Sequence, residues 1–132
     1  STTLGVVFID IDHFKSINDR FGHRVGDVAL KMVARTLSNA LRSYDFLGRW
    51  GGEEFLCLLP NVQQPQLEIC TERLRALVQK SSTEVSERNL VVTISLGAVV
   101  ASENDDLEQI VQRADDLMYQ SKQQGRNRVT LG

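Results

Sequence analysis

Residues 4–10 form an unbroken apolar run, rich in Val, Phe and Ile, that ends in Asp10. A strand with one face in water alternates apolar and polar residues, whereas an uninterrupted apolar strand is covered on both faces. We therefore expect a central strand here, with strands on either side and helices packed on the sheet. This strand constrains the fold more than any other segment.

The other segments predict an α+β domain with a largely antiparallel central sheet flanked by helices. The amphipathic helix that starts at Asp27 and ends near Arg42 shows apolar residues at spacings of three and four. Pro65 suits the first turn of a later helix, and Asp105 and Asp106 suit the start of the last one. The predicted elements are a strand at 4–10, helix at 13–20, loop at 21–27, helix at 27–42, hairpin strands at 44–50 and 55–59, helix from about 65, loop at 81–89, strand at 90–100, helix to Gly125 and strand at 128–131.

Composition limits the classes of function. The 132 residues suffice for one core, which predicts a single domain over 1–132. A net charge of −2 argues against a nucleic acid polymer as partner, since such binders usually carry a broad basic face. Cys57 and Cys70 fit buried small hydrophobic residues of a reduced protein, because neither has a nearby His or a CxxC context. We expect a cytoplasmic domain, and the parent protein could still be membrane-anchored.

Two acidic clusters follow predicted strands. Residues 49–55 read RWGGEEF, and a glycine pair between strands favours a tight turn, because glycine accepts positive φ and leaves room for a ligand. The turn presents Glu53 and Glu54, while Asp10 and Asp12 end the first strand. Four acids in one place would need cations; solvated strand ends are the alternative. We expect Asp12 to point away from Asp10 and to be structural, for instance as a helix cap.

Five fragments carry a resemblance to a known family. They are DIDHFKSIND (10–19), FGHRVGD (21–27), RWGGEEF (49–55), VTISLGA (92–98) and RADDLMYQSKQQGRNR (113–128). In this order and spacing they resemble the GGDEF family, the diguanylate cyclases, over nearly the whole chain. The resemblance implies a palm-like fold related to nucleotidyl cyclases and polymerases. It also implies that two GTP molecules, one on each domain of a homodimer, condense to cyclic di-GMP and two pyrophosphates.

The resemblance assigns the metal-binding and catalytic residues. Asp10, Glu53 and the backbone carbonyl of Ile11 match ligands of Mg²⁺ or Mn²⁺, with two ions per active site. Glu54 matches an acid that assists metal binding or deprotonation of the attacking hydroxyl. The chemistry agrees with this assignment, because attack of a ribose 3′-hydroxyl on an α-phosphate builds negative charge that divalent ions stabilise through hard oxygen ligands.

The resemblance also assigns the nucleotide contacts. An amide and a carboxylate match the donors and acceptors of guanine, and a helix N-terminus suits phosphate. The residues alone leave other readings open, namely helix caps for the guanine pair and cations at a helix C-terminus for the last two residues. The implied contacts are Asn18 and Asp27 to guanine, Lys15 with the backbone amides of His13 and Phe14 to the phosphates, and Lys122 and Arg126 to the terminal phosphates.

A further pattern suggests regulation. Arg42 and Asp45 form an RxxD pattern at the position of the family's product-inhibition site, and Arg73 matches a secondary contact to the same ligand. An arginine fork suits phosphate or the guanine edge, so the pattern fits cyclic di-GMP. RxxD by itself is a common string, and only its offset from the glycine turn favours allosteric binding.

Two departures from the family pattern bear on activity. We expect this domain to lack the family's usual N-terminal segment, which packs near the nucleotide pocket and joins an upstream sensory or dimerisation module. We therefore expect this truncated domain to bind GTP poorly or to lack activity by itself. Glu53 stands where the family name has aspartate, and Ser121 replaces a small apolar residue. The alternatives are a catalytically inactive module that senses GTP or cyclic di-GMP, and a nucleotidyl cyclase with another base.

Overall fold

The computed structural model describes residues 2–85 and 90–132. One five-stranded sheet has the strand order β2-β3-β1-β4-β5. The elements in chain order are β1 (Thr3–Ile11), α1 (Phe14–Phe21), α2 (His23–Ala40), β2 (Phe46–Arg49), β3 (Glu54–Pro60), α3 (Gln64–Ser81), a 3₁₀ turn (Ser82–Val85), β4 (Ile94–Ser102), α4 (Leu107–Gln123) and β5 (Arg128–Leu131). The predicted order of strands and helices is confirmed, and so is the α+β class.

The first strand is central, as the apolar run predicts. β1 pairs antiparallel with β3 on one side and with β4 on the other. β2 pairs antiparallel with β3, and β5 runs parallel to β4. The sheet is therefore largely antiparallel, with one parallel pair at an edge.

Both faces of β1 are buried in separate cores. Val7, Ile9 and Ile11 belong to the larger core beneath α1, α2 and α3. Val6 and Phe8 belong to a second core beneath α4. Because successive side chains of a strand point to opposite faces, two cores on one strand explain why its sequence is apolar without interruption.

The second helix begins earlier than predicted. α2 starts at His23 and not at Asp27, and the loop before it shrinks to Gly22, whose φ is 92°. Gly26 lies inside α2, where an added Cβ would come within 1.7 Å of the Asn18 side-chain oxygen. Gly26 therefore allows the close packing of α1 on α2. The sequence pattern alone indicated a loop at this position, because glycine is typical of turns.

The start of the third helix agrees with the prediction. Pro65 lies in the first turn of α3, where a capping box joins Gln63 and Gln66. Proline is tolerated there because the first amides of a helix have no partner within it. The loop predicted at 81–89 is partly wrong, since Ser81 ends α3 and a 3₁₀ turn follows; its residues 86–89 lie outside the described ones.

The last helix approaches the sheet closely. At the start of α4, the Asp106 side chain accepts a hydrogen bond from the Glu108 amide, which confirms the predicted cap. A Cβ on Gly97 of β4 would come within 2.1 Å of the Ala114 carbonyl oxygen and 2.2 Å of the Met118 nitrogen, both backbone atoms of α4. This close approach sets where the end of α4 meets the sheet.

The hairpin forms as predicted, but its glycines work differently. The amide of Trp50 donates to the carbonyl of Glu54 at 2.8 Å, so residues 50–53 make the turn. Neither Gly51 nor Gly52 is among the positive-φ residues, so the expectation of a left-handed turn is wrong. Gly51 instead leaves space, because a Cβ there would come within 2.4 Å of the Glu54 side-chain oxygen.

The cysteines and the helices carry no sign of redox chemistry or a membrane span. Cys57 is fully buried, and burial raises the pKa of its thiol to about 12; Cys70 is half-buried, and burial raises its pKa too. Both are free thiols with little thiolate character, as expected. Within the described residues, none of the helices combines the length and apolar character that crossing a bilayer requires.

Candidate active site

The two acidic clusters lie side by side at one end of the sheet. Asp10 of β1 is opposite Glu54 of β3 in the strand register. The amide of Ile11 donates to the carbonyl of Glu53 at 3.1 Å, which attaches the turn to the end of β1. The antiparallel pairing of β1 with β3 therefore brings together acids that lie more than forty positions apart in the sequence.

Asp10 is a mostly buried carboxylate whose negative charge is unfavourable. Its side chain is 12% exposed, and Lys122 of α4 reaches it with Nζ 3.0 Å from Oδ1. Burial raises the pKa of Asp10 to about 6; Lys122 opposes the rise, and the charges of Glu53 and Glu54 add to it. The negative charge at this position is thus only partly compensated by the protein.

Glu54 shares this acidic environment. Burial raises the pKa of Glu54 above its ordinary value, repulsion from Asp115 and Glu53 adds to the rise, and Lys122 opposes it. The sequence reading missed Asp115, which lies on α4 seven residues before Lys122 and so on the same helix face. The seven-residue spacing from Lys122 is the sequence signal that could have identified Asp115 as part of the site.

The donors fit a divalent cation only in part. Among residues 2–85 and 90–132, no three Asp, Glu, His or Cys side chains gather as a metal-binding group. Asp10 and Glu53 with the carbonyl of Ile11 offer hard oxygen donors, which Mg²⁺ prefers while it keeps other ligands from water or phosphate. The raised pKa of Asp10 indicates that an added positive charge there would be stabilising. The residues therefore fit a cation that takes its remaining ligands from water or from a bound anion.

Asp12 has a different role from the one expected. Its carboxylate accepts hydrogen bonds from Thr93 Oγ1 at 2.7 Å, Ser95 Oγ at 2.6 Å and the Asn127 amide at 2.9 Å. It lies 3.8 Å from Lys122 Nζ, so it does not point away from Asp10, since residues two apart in a strand share a face. Nor does it cap α1, whose N-cap is His13. Its structural role is confirmed, but as a link between β1, β4 and the α4–β5 turn.

The predicted guanine residues lie on α1 and α2. Asn18 is half-buried and its side chain lies over Gly26, while Asp27 is the next residue of α2 and is exposed. The alternative that they are helix caps does not hold for α2, whose N-cap is Gly22. The close α1–α2 contact at Gly26 thus brings Asn18 next to the turn of α2 that carries Asp27.

The predicted phosphate residues come from two places. His13 is the N-cap of α1 in the left-handed region, with φ 56°, and makes no side-chain cap bond; Phe14 opens the helix and Lys15 is exposed. Lys122 lies in the last turn of α4, and Arg126 follows in the α4–β5 turn with φ 65°. Arg126 Nε is the one buried side-chain nitrogen or oxygen without a partner in the described part of the chain. An orphaned donor of this kind suits an anionic ligand.

The three predicted inhibitory residues line one cavity. Arg42 binds Asp45 with two parallel bonds, Nε to Oδ2 at 3.1 Å and Nη2 to Oδ1 at 2.9 Å, and stacks on Tyr44 with 4.6 Å to the ring centroid. Arg42 and Asp45 border a cavity of about 240 Å³ together with Arg73 and Cys70 of α3. A groove of about 810 Å³ runs along α3 and β5 and shares Ile69 and Arg73 with this cavity; the acids of the hairpin turn do not line it.

The chain matches one family model over residues 1–128, described as the GGDEF domain of diguanylate cyclases. It is 46% identical to diguanylate cyclase A of Treponema denticola over 98% of its length. It is 36% identical to the diguanylate cyclase DosC of Escherichia coli K12, also over 98%. The chain spans 35% and 28% of these two curated relatives, so it corresponds to one part of each.

Solved structures are similar throughout the chain. The GGDEF domain of DgcB from Caulobacter crescentus, in complex with c-di-GMP, matches with a TM-score of 0.91 and 32% identity, covering 98% of this chain and 78% of that one. The active GGEEF domain of a diguanylate cyclase from Vibrio cholerae matches with a TM-score of 0.89 and 33% identity, covering 98% and 82%. The palm-like arrangement expected from the sequence is thus shared with these domains.

Proposed function

This chain belongs to the GGDEF domain family, and on that premise we propose that it condenses two GTP molecules to cyclic di-GMP and two pyrophosphates. The observation that carries the proposal is the meeting of Asp10 with the Glu53–Glu54 turn at the end of β1 and β3. A buried acid whose pKa is raised by desolvation and by neighbouring acids, as that of Asp10 is, is costly in a purely structural role. A site that binds a cation and a triphosphate accounts for that cost.

Asp10, Glu53 and the carbonyl of Ile11 would hold Mg²⁺ or Mn²⁺, with two ions per active site. When bound, the ions supply charge stabilisation at the phosphate under attack. Lys122, already paired with Asp10, lies where it can neutralise phosphate oxygens as well as the carboxylate. Glu54 lies beside this group and assists metal binding or takes the proton of the attacking ribose hydroxyl.

The remaining contacts orient the nucleotide. Asn18 and Asp27 present an amide and a carboxylate for the edge of guanine. The phosphates extend toward the N-terminus of α1, with Lys15 and the amides of His13 and Phe14, and toward Lys122 and Arg126. Arg126 Nε, buried without a partner, is a donor available to a terminal phosphate.

The working form is a homodimer, because one domain offers one set of guanine and phosphate contacts and the condensation joins two nucleotides. The hairpin turn at the ends of β2 and β3, with Trp50 and Gly52 exposed, suits a site that a second domain completes. We place activity in the longer parent protein, under the control of an upstream sensory or dimerisation module, and in the cytoplasm.

Product inhibition acts through the cavity lined by Arg42, Asp45 and Arg73. Two arginines at the border of one cavity suit the two phosphates of cyclic di-GMP, and Asp45 suits the guanine edge. Because Asp45 occupies the fork of Arg42, a phosphate ligand would compete for this arginine.

Product identification after incubation of the parent protein with Mg²⁺ and either GTP or ATP tests the proposal. Cyclic di-GMP from GTP is the expected product, and a product from ATP alone would indicate a cyclase of different base specificity. Glu53→Gln and Glu54→Gln, which keep side-chain size, should abolish turnover. Glu103→Gln, an exposed acid beyond the end of β4, is the matched control and should retain it. Tight GTP binding without any turnover would select the sensing module.

A further inference from the structure

Arg75 of α3 is held in a fixed position although it lies outside the acidic cluster. Its Nε is 2.9 and 3.0 Å from the two carboxylate oxygens of Glu72, and its Nη1 donates to Gln79 Oε1 at 3.1 Å. The same Nη1 donates to Oδ1 of Asn127 at 2.9 Å, across fifty-two positions of sequence. With 19% of its side chain exposed, Arg75 is a partly buried fork with several partners.

The partner residue lies in an unusual turn. Between α4 and β5, Gly125, Arg126 and Asn127 all have positive φ, at 124°, 65° and 49°. Residues other than glycine keep this conformation only where the surroundings hold them in it. The Asn127 side chain is held by Arg75 and, through Nδ2 at 3.2 Å, by Gln79.

The backbone of the turn is tied to the site described above. The Asn127 amide donates to Asp12 Oδ2 at 2.9 Å, and Asp12 Oδ1 lies 3.8 Å from Lys122 Nζ. Arg126 precedes Asn127 directly, and its amide donates to the Ser121 carbonyl at 2.9 Å. Any change in the backbone at Asn127 therefore shifts Arg126 and loosens the environment of Lys122.

We propose that Arg75 is a positioning residue, which fixes the left-handed turn through Asn127 and so aims Lys122 and Arg126 at the phosphates of the nucleotide. The inference rests on the proposed function for the identity of that nucleotide. Arg75 acts on the ligand only through other residues, because its own donors are used by Glu72, Gln79 and Asn127.

Arg75→Met tests the inference, since methionine keeps much of the aliphatic packing and removes the fork. The readouts are amide hydrogen exchange at residues 124–128 and GTP affinity by calorimetry with Mg²⁺, both of which need no turnover. Arg35→Met is the matched control, because Arg35 pairs with Glu84 in an exposed ion pair on α2. Arg75→Lys, which keeps one donor for Asn127, should recover part of the loss.

We expect Arg75→Met to accelerate exchange of the Asn127 amide about tenfold, because that bond opens more often. The Kd for GTP, and KM where turnover is measurable, should rise about tenfold with kcat changed by less than about twofold. Asn127→Ala should add nothing to Arg75→Met, since both act on one chain of contacts. Exchange at Asn127 or a GTP Kd equal to that of Arg35→Met overturns the inference. A wild-type protein that binds GTP without turnover refutes only the cyclase activity.

Discussion

Replacing Asp10 by asparagine should make the protein more stable at neutral pH, although this residue is central to the proposed active site. Burial raises the pKa of Asp10 from an ordinary 3.8 to about 6, Lys122 opposes the rise, and repulsion from Glu53 and Glu54 adds to it. The folded state therefore binds the Asp10 proton more tightly than the unfolded state does. The ionised Asp10 side chain therefore destabilises the folded state, and a neutral amide at this position does not.

The size and sign of this change in stability follow from the linkage between proton binding at Asp10 and unfolding. Below pH 3.8 the Asp10 carboxyl is protonated in both states and its titration leaves the free energy of unfolding unchanged. As pH rises from 3.8 through about 6, the folded state holds more protons, so stability falls. At roughly 1.4 kcal/mol per pKa unit, the loss above this window is about 3 kcal/mol. Because the pKa of about 6 already includes the attraction of Lys122, Asp10→Asn, which resembles the protonated carboxyl, should gain up to about 3 kcal/mol.

Urea unfolding of the wild type and of Asp10→Asn between acid and neutral pH, without divalent cations, measures this gain. The difference in the free energy of unfolding should shrink as pH falls through 6 toward 4. Asp12→Asn is the matched control two residues away; Asp12 accepts three hydrogen bonds, so its replacement should destabilise the protein at neutral pH. If Asp10→Asn were less stable than the wild type at neutral pH, or if the difference did not change with pH, the electrostatic reasoning would be wrong.

Four other substitutions test stability and function. Gly26→Ala should keep or raise thermal stability, by up to about 1 kcal/mol within a helix, yet weaken GTP binding in calorimetry, because its Cβ displaces the Asn18 side chain. Gly97→Ala should destabilise the fold by several kcal/mol in urea unfolding, ~3 or more, since its Cβ meets the backbone of α4, whereas Gly52→Ala, with open space, should be tolerated. Arg42→Ala should abolish cyclic di-GMP binding and product inhibition and lower stability by about 1–3 kcal/mol, because the Asp45 side chain that it pairs with is only 2% exposed; unchanged inhibition would reject the regulatory site.

The strands were predictable because their signals are local. The apolar run of β1 predicts that both faces of the strand are covered. The structure confirms this, because successive side chains of β1 enter two different cores. The helix starts at Pro65 and Asp106 were predictable for the same reason, since caps and first turns are built from adjacent residues. The residues themselves left two alternatives for the acidic clusters, one shared site or solvated strand ends, and the family resemblance selected the shared site.

The features that sequence reasoning missed are long-range. Gly22 and Gly26 look alike in the sequence, but the first has positive φ and the second accommodates the Asn18 side chain from another helix. The partners of Asp12 come from β4 and from the α4–β5 turn, more than eighty positions away, so no local pattern announced them. Propensity and spacing depend on neighbours along the chain, whereas the roles of these residues are set by contacts with residues that are distant in sequence.

The two aspartates of β1 show how the fold distinguishes support from ligand binding. Asp12 is buried with three hydrogen-bond donors, so its charge is compensated by the protein itself. Asp10 has one close cation and two repelling glutamates, and the cost appears in its raised pKa. In the turn after α4, four residues beyond Lys122, Arg126 keeps a buried Nε without a partner in the described part of the chain. A carboxylate that is only partly compensated and a guanidinium with an unpartnered Nε are complementary to a cation and a phosphate bound together. The polar groups that the protein leaves unsatisfied thus coincide with the groups assigned to metal and triphosphate.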